Sequence, residues 1–340
     1  MPTEFQSSSR GASLDPAGCS PSQAKGKVLV EILLATYNGE RHLDALLHSL
    51  EIQTYGNWIV IARDDCSTDR TSGLLQVWQQ RLKGKLVILP DSDPTSIGSC
   101  LNFGVLMQAS RSDYVMFADQ DDVWFPDKVK ASLEALLALE ACWGSDTPCL
   151  VCSDAVVVDE HLTRRHPSRW RHSGTFPNGL ISPVQISLDN PVQGCTTMVN
   201  RALLRLALPV PVVAPYADWW LAMSASAFGQ ICFIKRPTLL WRRHSSNASH
   251  YSSLSDDFLA NMLRLNTAHL RVKSMLSKSV PIVDEFLARY ARQLASGDRA
   301  ALEAFLRLGR SSFFSRRYLI LRHHILFASL IKSIGFILFV

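Results

Sequence analysis

Residues 113–124 read Asp-Tyr-Val-Met-Phe-Ala-Asp-Gln-Asp-Asp-Val-Trp, and this stretch constrains the fold more than any other. Tyr114 to Ala118 is an apolar run bounded by acids, the pattern of a strand buried on both faces of a parallel sheet. At its end stand three carboxylates in four positions: Asp119, Asp121 and Asp122. Adjacent carboxylates repel and raise one another's pKa, so the cluster calls for a positive counter-charge. A hard divalent cation with oxygen ligands meets that need, and Mg²⁺ is usually held by one or two carboxylates together with substrate phosphates. Strand ends are also where α/β proteins place their ligands.

The segments before it repeat the theme. Lys27 to Ala35 reads as a first buried strand, stopped by Asn38-Gly39, and Glu40 to Gln53 carries a helical apolar pattern. Trp58 to Ala62 is a second strand that ends in acids, Asp64 and Asp65, with Ser67 or Thr68 placed to cap a helix running to about Leu82. A short strand over Leu86–Leu89 and a helix over Ile97–Ala109 lead to the 114–118 strand. Strands alternating with helices specify an open, mostly parallel α/β sheet. Pro126 suits a helix start, with the helix continuing from Lys128 to Glu140, and Cys149–Val158 is a further strand. Residues 159–190 are polar and read as a mobile loop over the site. A short strand near 194–199, a helix over Tyr216–Phe228, and short strands at Ile231–Ile234 and Thr238–Trp241 follow. Beyond His250 the pattern is helical.

This gives an expected division into a disordered leader (1–26), a catalytic domain (27–250, with halves 27–125 and 126–250) and a helical C-terminal region (251–340). The leader reading rests on a polar stretch rich in Ser, Gly and Pro. A net charge of +5 over 340 residues is mild and does not point to nucleic acid. Eight cysteines are scattered through apolar segments; Cys149 and Cys152 form one Cys-x-x-Cys with no second pair, which argues for buried thiols in a reducing compartment rather than zinc.

Four segments carry a resemblance: Ala-Thr-Tyr-Asn-Gly-Glu (35–40), Asp-Asp-Cys-Ser-Thr-Asp-Arg-Thr (64–71), Phe-Ala-Asp-Gln-Asp-Asp-Val-Trp-Phe-Pro-Asp-Lys (117–128) and Asp-Trp-Trp-Leu-Ala (218–222), followed by Arg243-His244. In this order, each at a strand end or helix start, they resemble the inverting glycosyltransferases of family 2, with the GT-A fold. The bacterial rhamnosyltransferase branch, which builds O-antigen and other surface polysaccharides, is the more similar part of that family. The resemblance covers about residues 28–250. One departure is Cys66, where the family usually has Gly; a left-handed backbone there would be strained.

The resemblance implies a set of roles. Thr36, Tyr37 and Glu40 lie where the family contacts base and ribose; Asp64 or Asp65 accepts from the pyrimidine N3–H; Asn102 lies on the next nucleotide-side segment. Asp119 and Asp121 bring in Mg²⁺ or Mn²⁺ against the donor's diphosphate, and His244 matches a late metal- or diphosphate-contacting position, an imidazole ligand favouring Mn²⁺. Arg242 and Arg243 are candidates to clamp phosphate. Asp122 and Trp124 shape the sugar pocket. Asp218 is the candidate general base, with Trp219 and Trp220 desolvating the acceptor side and raising its pKa. The bland alternative for Asp218 is a helix-cap aspartate followed by core tryptophans. The implied reaction is metal-dependent single displacement from a nucleotide sugar, dTDP-rhamnose or a UDP-sugar, to a saccharide or lipid-linked saccharide acceptor.

Between Glu303 and Val340 there is no acid, whereas Arg307, Arg310, Arg316, Arg317, Arg322 and Lys332 are present. Tyr318–Val340 is otherwise almost wholly apolar, yet its charges are poorly placed for a span. A basic apolar helix on anionic lipid is expected, placing the protein in the cytoplasm, peripherally on the inner membrane; a helix packed on the catalytic domain is the alternative. Two rival functions stay open. A nucleotidyltransferase also holds metal at strand ends but needs a Gly-rich phosphate loop, which residues 36–40 are not. An inactive sugar-binding subunit would not need acids at 119, 121 and 218.

Overall fold

A computed structural model describes residues 28–90, 95–177, 181–245, 247, 265–327 and 329–340, so the expected leader lies outside the described residues. The donor half runs β1 (Val30–Thr36), α1 (Leu43–Glu51), β2 (Trp58–Asp64), α2 (Thr71–Arg81), β3 (Leu86–Ile88), α3 (Ser99–Ala109), β4 (Tyr114–Asp119) and β5 (Val123–Trp124). It is followed by α4 (Lys128–Trp143), β6 (Cys149–Asp159), β7 (Arg164–His166), α5 (Arg169–Ser173), α6 (Pro183–Leu188), β8 (Thr197–Asn200), α7 (Arg201–Ala207), α8 (Ala217–Phe228) and β9 (Gln230–Arg243). Among the described residues four helices close the chain: α9 (Leu265–Tyr290), α10 (Ser296–Arg307), α11 (Phe313–Arg322) and α12 (Leu330–Phe339).

One sheet of nine strands, among the described residues, has the order β3-β2-β1-β4-β8-β6-β9-β5, with β7 beside β6. Strands β3, β2, β1 and β4 are parallel, as the alternation of strands and helices requires. The antiparallel β8 then joins β4 to β6, and β6 continues in parallel with β9. Both sheet faces are covered. Leu33, Val115 and Phe117 look toward α3, α7 and α8, while Ile32, Leu34, Met116 and Ala118 look toward α1, α2 and α4. The same alternation settles the Cys-x-x-Cys: Cys149 and Cys152 lie on opposite faces of β6, one in each core, and cannot share a metal. Both are free thiols, as are Cys66, Cys100, Cys195 and Cys232; Cys142, by contrast, is disulfide-bonded.

Three local expectations are corrected. Residues 159–190 are not a mobile loop where described: they form β7, α5 and α6, the last opened by a Ser182/Gln185 capping box. The two short strands at 231–241 are one strand, β9, whose pairing to β6 shifts register around Asp154 and Pro237. Helix α2 is not capped by Ser67 or Thr68, which lie before its N-cap Arg70; Asp69 instead accepts from the Thr71 N–H.

The C-terminal helices share a core with α8. Trp220 meets Phe286 edge-on at 5.3 Å between ring centroids, and Phe305, Ile320 and Phe336 are buried in the same cluster. The stretch 318–340 is no single helix: α11 ends at Arg322 and α12 starts at Leu330. Among the described residues no helix is long and apolar enough to cross a membrane.

Candidate active site

The carboxyl-terminal ends of β1, β2 and β4 meet at one edge of the sheet. There Asp64 is held by its neighbours: Thr36 Oγ1 and Ser67 Oγ donate to Oδ1 at 2.7 and 2.6 Å, and the Ser67 N–H donates to Oδ2 at 3.1 Å. Asp64 and Ser67, with Ser72, Ile88, Leu89 and Pro90, line a cavity of about 430 Å³. A planar base would have apolar walls and an acceptor there. Thr36 itself is buried and acts through Asp64.

Asp65 turns the other way. It is 2% exposed and accepts from Ser96 Oγ, the Ile97 and Gly98 N–H groups and Arg63 Nη1. Those four bonds, with Asn102 Oδ1 accepting from the same Arg63 nitrogen, tie β2 to the start of α3. Asp65 and Asn102 therefore stand behind the cavity as supports, and Asp64 is the acid that faces it. Tyr37 is half-exposed; its backbone N–H and C=O pair with the Gln120 side-chain amide at 2.9 and 2.8 Å. That pairing passes so close to Gly39 that a Cβ there would stand 2.2 Å from Gln120 Oε1, so a side chain at 39 would displace the Gln120 amide. Glu40 Oε2 accepts from Arg70 N–H and Nε, bonds that hold its pKa below the ordinary range and fix the loop after β2. In that loop Cys66 does take the left-handed conformation, at φ +63°.

The acids after β4 are supported from farther away. Asp122 is fully buried; Oδ1 accepts the Arg242 N–H at 3.1 Å, while Oδ2 has no hydrogen-bond partner. Burial, then Asp121 and Asp119, raise its pKa well above the ordinary value. Asp119 is pushed up to about 7 by burial, Asp121 and Asp218. Asp121 accepts from His244 Nε2 at 2.9 Å and from Asn247 Nδ2 at 2.8 Å. Beneath them Lys128 is completely buried, its Nζ 4.6 Å over the Trp124 ring and 3.4 Å from Thr238 Oγ1. Burial lowers the lysine to about 8.

Cys195, from the short turn before β8, places its sulfur with the Asp119 and Asp122 oxygens, all within 4.8 Å of one another. Burial and the two acids push this thiol well above its ordinary range, so it stays protonated and is a poor ligand. The oxygens are a different matter. Three carboxylates face two cations, Lys128 and Arg242, and the orphaned Asp122 oxygen marks the deficit of positive charge. A hard cation fits this donor set, with Asp119, Asp121 and the His244 imidazole as the groups to hold it.

Asp218 lies in the first turn of α8 but is not its cap, which is Tyr216. Its Oδ2 accepts the Gly194 N–H at 2.7 Å, and burial raises it to about 6. Its charge is felt by Asp119, so strand β4 and helix α8 bring the two acids near one another. Two other carboxylates of this half are engaged elsewhere: Asp154 accepts from Ser168 Oγ and the Trp170 N–H, and Asp189 pairs with Lys332 at 2.6 Å.

Four residues expected to shape the sugar and acceptor pocket are buried. Asp122 and Trp124 lie in the floor beneath it, because Trp124 packs under Lys128. Trp220 is 0% exposed, its Nε1–H donating to the Ala207 carbonyl, and Trp219 donates to the Ile186 carbonyl from a 9% exposed position. Arg242 is buried, and its Nε and Nη1 each donate at 2.7 Å, to the Asp121 and Glu160 carbonyls. The sequence reading passed over Lys128 as a helix former and gave no role to Cys195, Gln120 or His42, whose ring lies 5.0 Å from that of His244. Lys128 had a signal, a lysine on the apolar-side spacing of α4; the others had none.

Residues 31–174 match the family described as Glycosyl transferase family 2. The putative teichuronic acid biosynthesis glycosyltransferase TuaG of Bacillus subtilis is 24% identical over 174 residues, covering 51% of this chain and 67% of that protein. The dTDP-rhamnosyl transferase RfbG of Shigella flexneri is 26% identical over 227 residues, covering 63% and 72%. Among solved structures, Staphylococcus aureus TarS 1–349 in complex with UDP-GlcNAc superposes with a TM-score of 0.51 at 17% identity, covering 90% of this chain and 89% of that one. The fold is of the GT-A type: a mostly parallel, helix-flanked sheet with helices appended at its C-terminal side.

Proposed function

We propose that this protein is an inverting, metal-dependent glycosyltransferase that adds a sugar to a growing cell-surface polysaccharide of the O-antigen kind. The observation that carries the reading is the convergence of Asp218 on Asp119 beside the Asp64 cavity. A nucleotide site, a counter-charge site for diphosphate and a carboxylate poised near neutrality then lie near one edge of the sheet. The donor is dTDP-rhamnose, a reading supported by the RfbG relative, with UDP-sugars as the competing class. The acceptor is a saccharide or lipid-linked saccharide, met at the cytoplasmic face of the inner membrane.

In the proposed step, Asp64 accepts from the base and the sheet edge orients the donor. The Asp218 carboxylate takes the proton of the acceptor hydroxyl. The freed oxygen pair forms the new bond to the anomeric carbon from the face opposite the diphosphate. The bond from that carbon to the diphosphate oxygen breaks, and the nucleoside diphosphate leaves with the electron pair. Mg²⁺ or Mn²⁺ held by Asp119, Asp121 and His244 would stabilise the charge developing on the leaving group. Because displacement is single, configuration inverts and no glycosyl-enzyme forms. The test is to incubate the protein with a panel of nucleotide sugars, Mn²⁺ and saccharide acceptors, and to assign the product linkage by NMR. Transfer from dTDP-rhamnose with inversion supports the reading; retention, or transfer at full rate in EDTA, contradicts it.

A further inference from the structure

The tail that packs inward also presents a second apolar face outward. On α11, Phe314, Tyr318 and Leu321 stand at positions i, i+4 and i+7 and are 83%, 65% and 57% exposed, while Ile320 on the other side is fully buried. On α12, Ile334 and Leu338 are 51% and 61% exposed, with Ser333 and Phe336 turned into the protein. The two stripes belong to one surface, because Arg317 Nη2 donates to the Leu338 carbonyl at 3.1 Å, with its guanidinium 3.4 Å from the centroid of the Phe313 ring. Arg307, Arg310, Arg322 and His324 are exposed around it, and no acid occurs on this part of the chain.

We infer that this two-helix face docks on an anionic lipid bilayer, with the aromatic and leucine side chains among the headgroups and the arginines on lipid phosphates. An amphipathic helix lying in the interface has this composition. Charge selects the lipid over a second copy of the chain, since a two-fold contact would set the same arginines against one another. Lys332 is excluded from the lipid contact. It reaches inward to Asp189 at 2.6 Å, Thr175 Oγ1 at 3.0 Å and the Ser173 carbonyl at 3.2 Å. Asp189 leads into the segment whose Gly194 N–H holds Asp218, so the docking face is fastened to the acceptor half of the site. The inference deepens the proposed placement at a membrane and is independent of the donor's identity.

The test is flotation of the full-length protein with vesicles of phosphatidylcholine alone or with roughly one-third phosphatidylglycerol. Binding to the anionic vesicles only, weakening with salt, is expected. Phe314→Ser with Leu321→Ser and Leu338→Ser should lower the bound ratio about tenfold or more, with the melting temperature kept because all three are exposed. Arg310→Glu with Arg322→Glu should lower it about 25-fold, roughly fivefold for each arginine near an anionic surface. Failure of the full-length protein to bind, or equal binding by the apolar variant, overturns the inference. So does a dimer that ignores vesicles and is dissociated by the apolar variant, which would give the face to a second copy. Donor turnover with a soluble acceptor, measured on the same variants, reads the transferase proposal separately.

Discussion

Two acidic strand ends flank β1 in this molecule and are built in opposite ways. Asp64, after β2, is satisfied by hydroxyls and an N–H from its own loop and from β1. The acids after β4 take their support from remote segments: the Arg242 N–H, His244, Asn247 and the buried Lys128. Local satisfaction leaves Asp64 a comfortable hydrogen-bond acceptor suited to recognition. Remote and incomplete satisfaction leaves Asp119, Asp121 and Asp122 with excess negative charge, which suits them to hold a cation. On the proposed reading the same residue type serves binding in one place and charge compensation in the other, and the difference lies in the distance along the chain to its partners.

The contrast breaks first at Asp121. Asp121→Asn should reduce metal-dependent transfer by about 10³ or more, the scale of losing one preorganised charge at a leaving group, while Asp64→Asn should raise the donor KM and leave metal dependence intact. Turnover against Mn²⁺ concentration for both variants checks this; full activity of Asp121→Asn would remove the distinction. The next effect is on stability. Lys128→Met removes a buried counter-charge and should cost about 3–5 kcal/mol. Adding Asp122→Asn should recover part of that loss, whereas adding Asp64→Asn should not. Urea titration of the single and double variants decides it, and strictly additive losses would show that Lys128 does not compensate Asp122. The smallest effect concerns Cys66. Its left-handed backbone favours glycine, so Cys66→Gly should stabilise the protein by up to about 1 kcal/mol, read as a rise in melting temperature.

How much of this was legible followed the same divide. The strands, the parallel sheet and the acids at their ends could be read because each rests on local pattern: an apolar run, a breaker, an acid. The partners of the β4 acids could not, since no periodicity links Asp122 to Arg242 or Asp119 to Cys195. Trp124, Trp219 and Trp220 misled for a related reason. In helix α8 each residue is turned about 100° from the one before it, so Trp219 and Trp220 leave the side of Asp218 and enter the core. The tail was read as either packed or membrane-facing, a choice that its two apolar faces do not force. Asp64 and Asp65, adjacent in sequence, separate because successive side chains at a strand end diverge: one faces the cavity, and the other anchors α3.

The central claim is that Asp218, brought near Asp119 from the acceptor half, is the base. Burial holds its proton on up to about pH 6, so the active, ionised form is lost as pH falls through that value. Folding disfavours the charged form, so Asp218→Asn should keep or raise the melting temperature at neutral pH, with Asn still able to accept the Gly194 N–H. The direct measurement is turnover against pH for the wild-type protein and Asp218→Asn, with donor affinity determined on the same samples. The account predicts a fall in turnover of about 10²–10⁴ for the variant, loss of the acid limb near pH 6 and unchanged donor affinity. Near-normal turnover with the acid limb still present would contradict it.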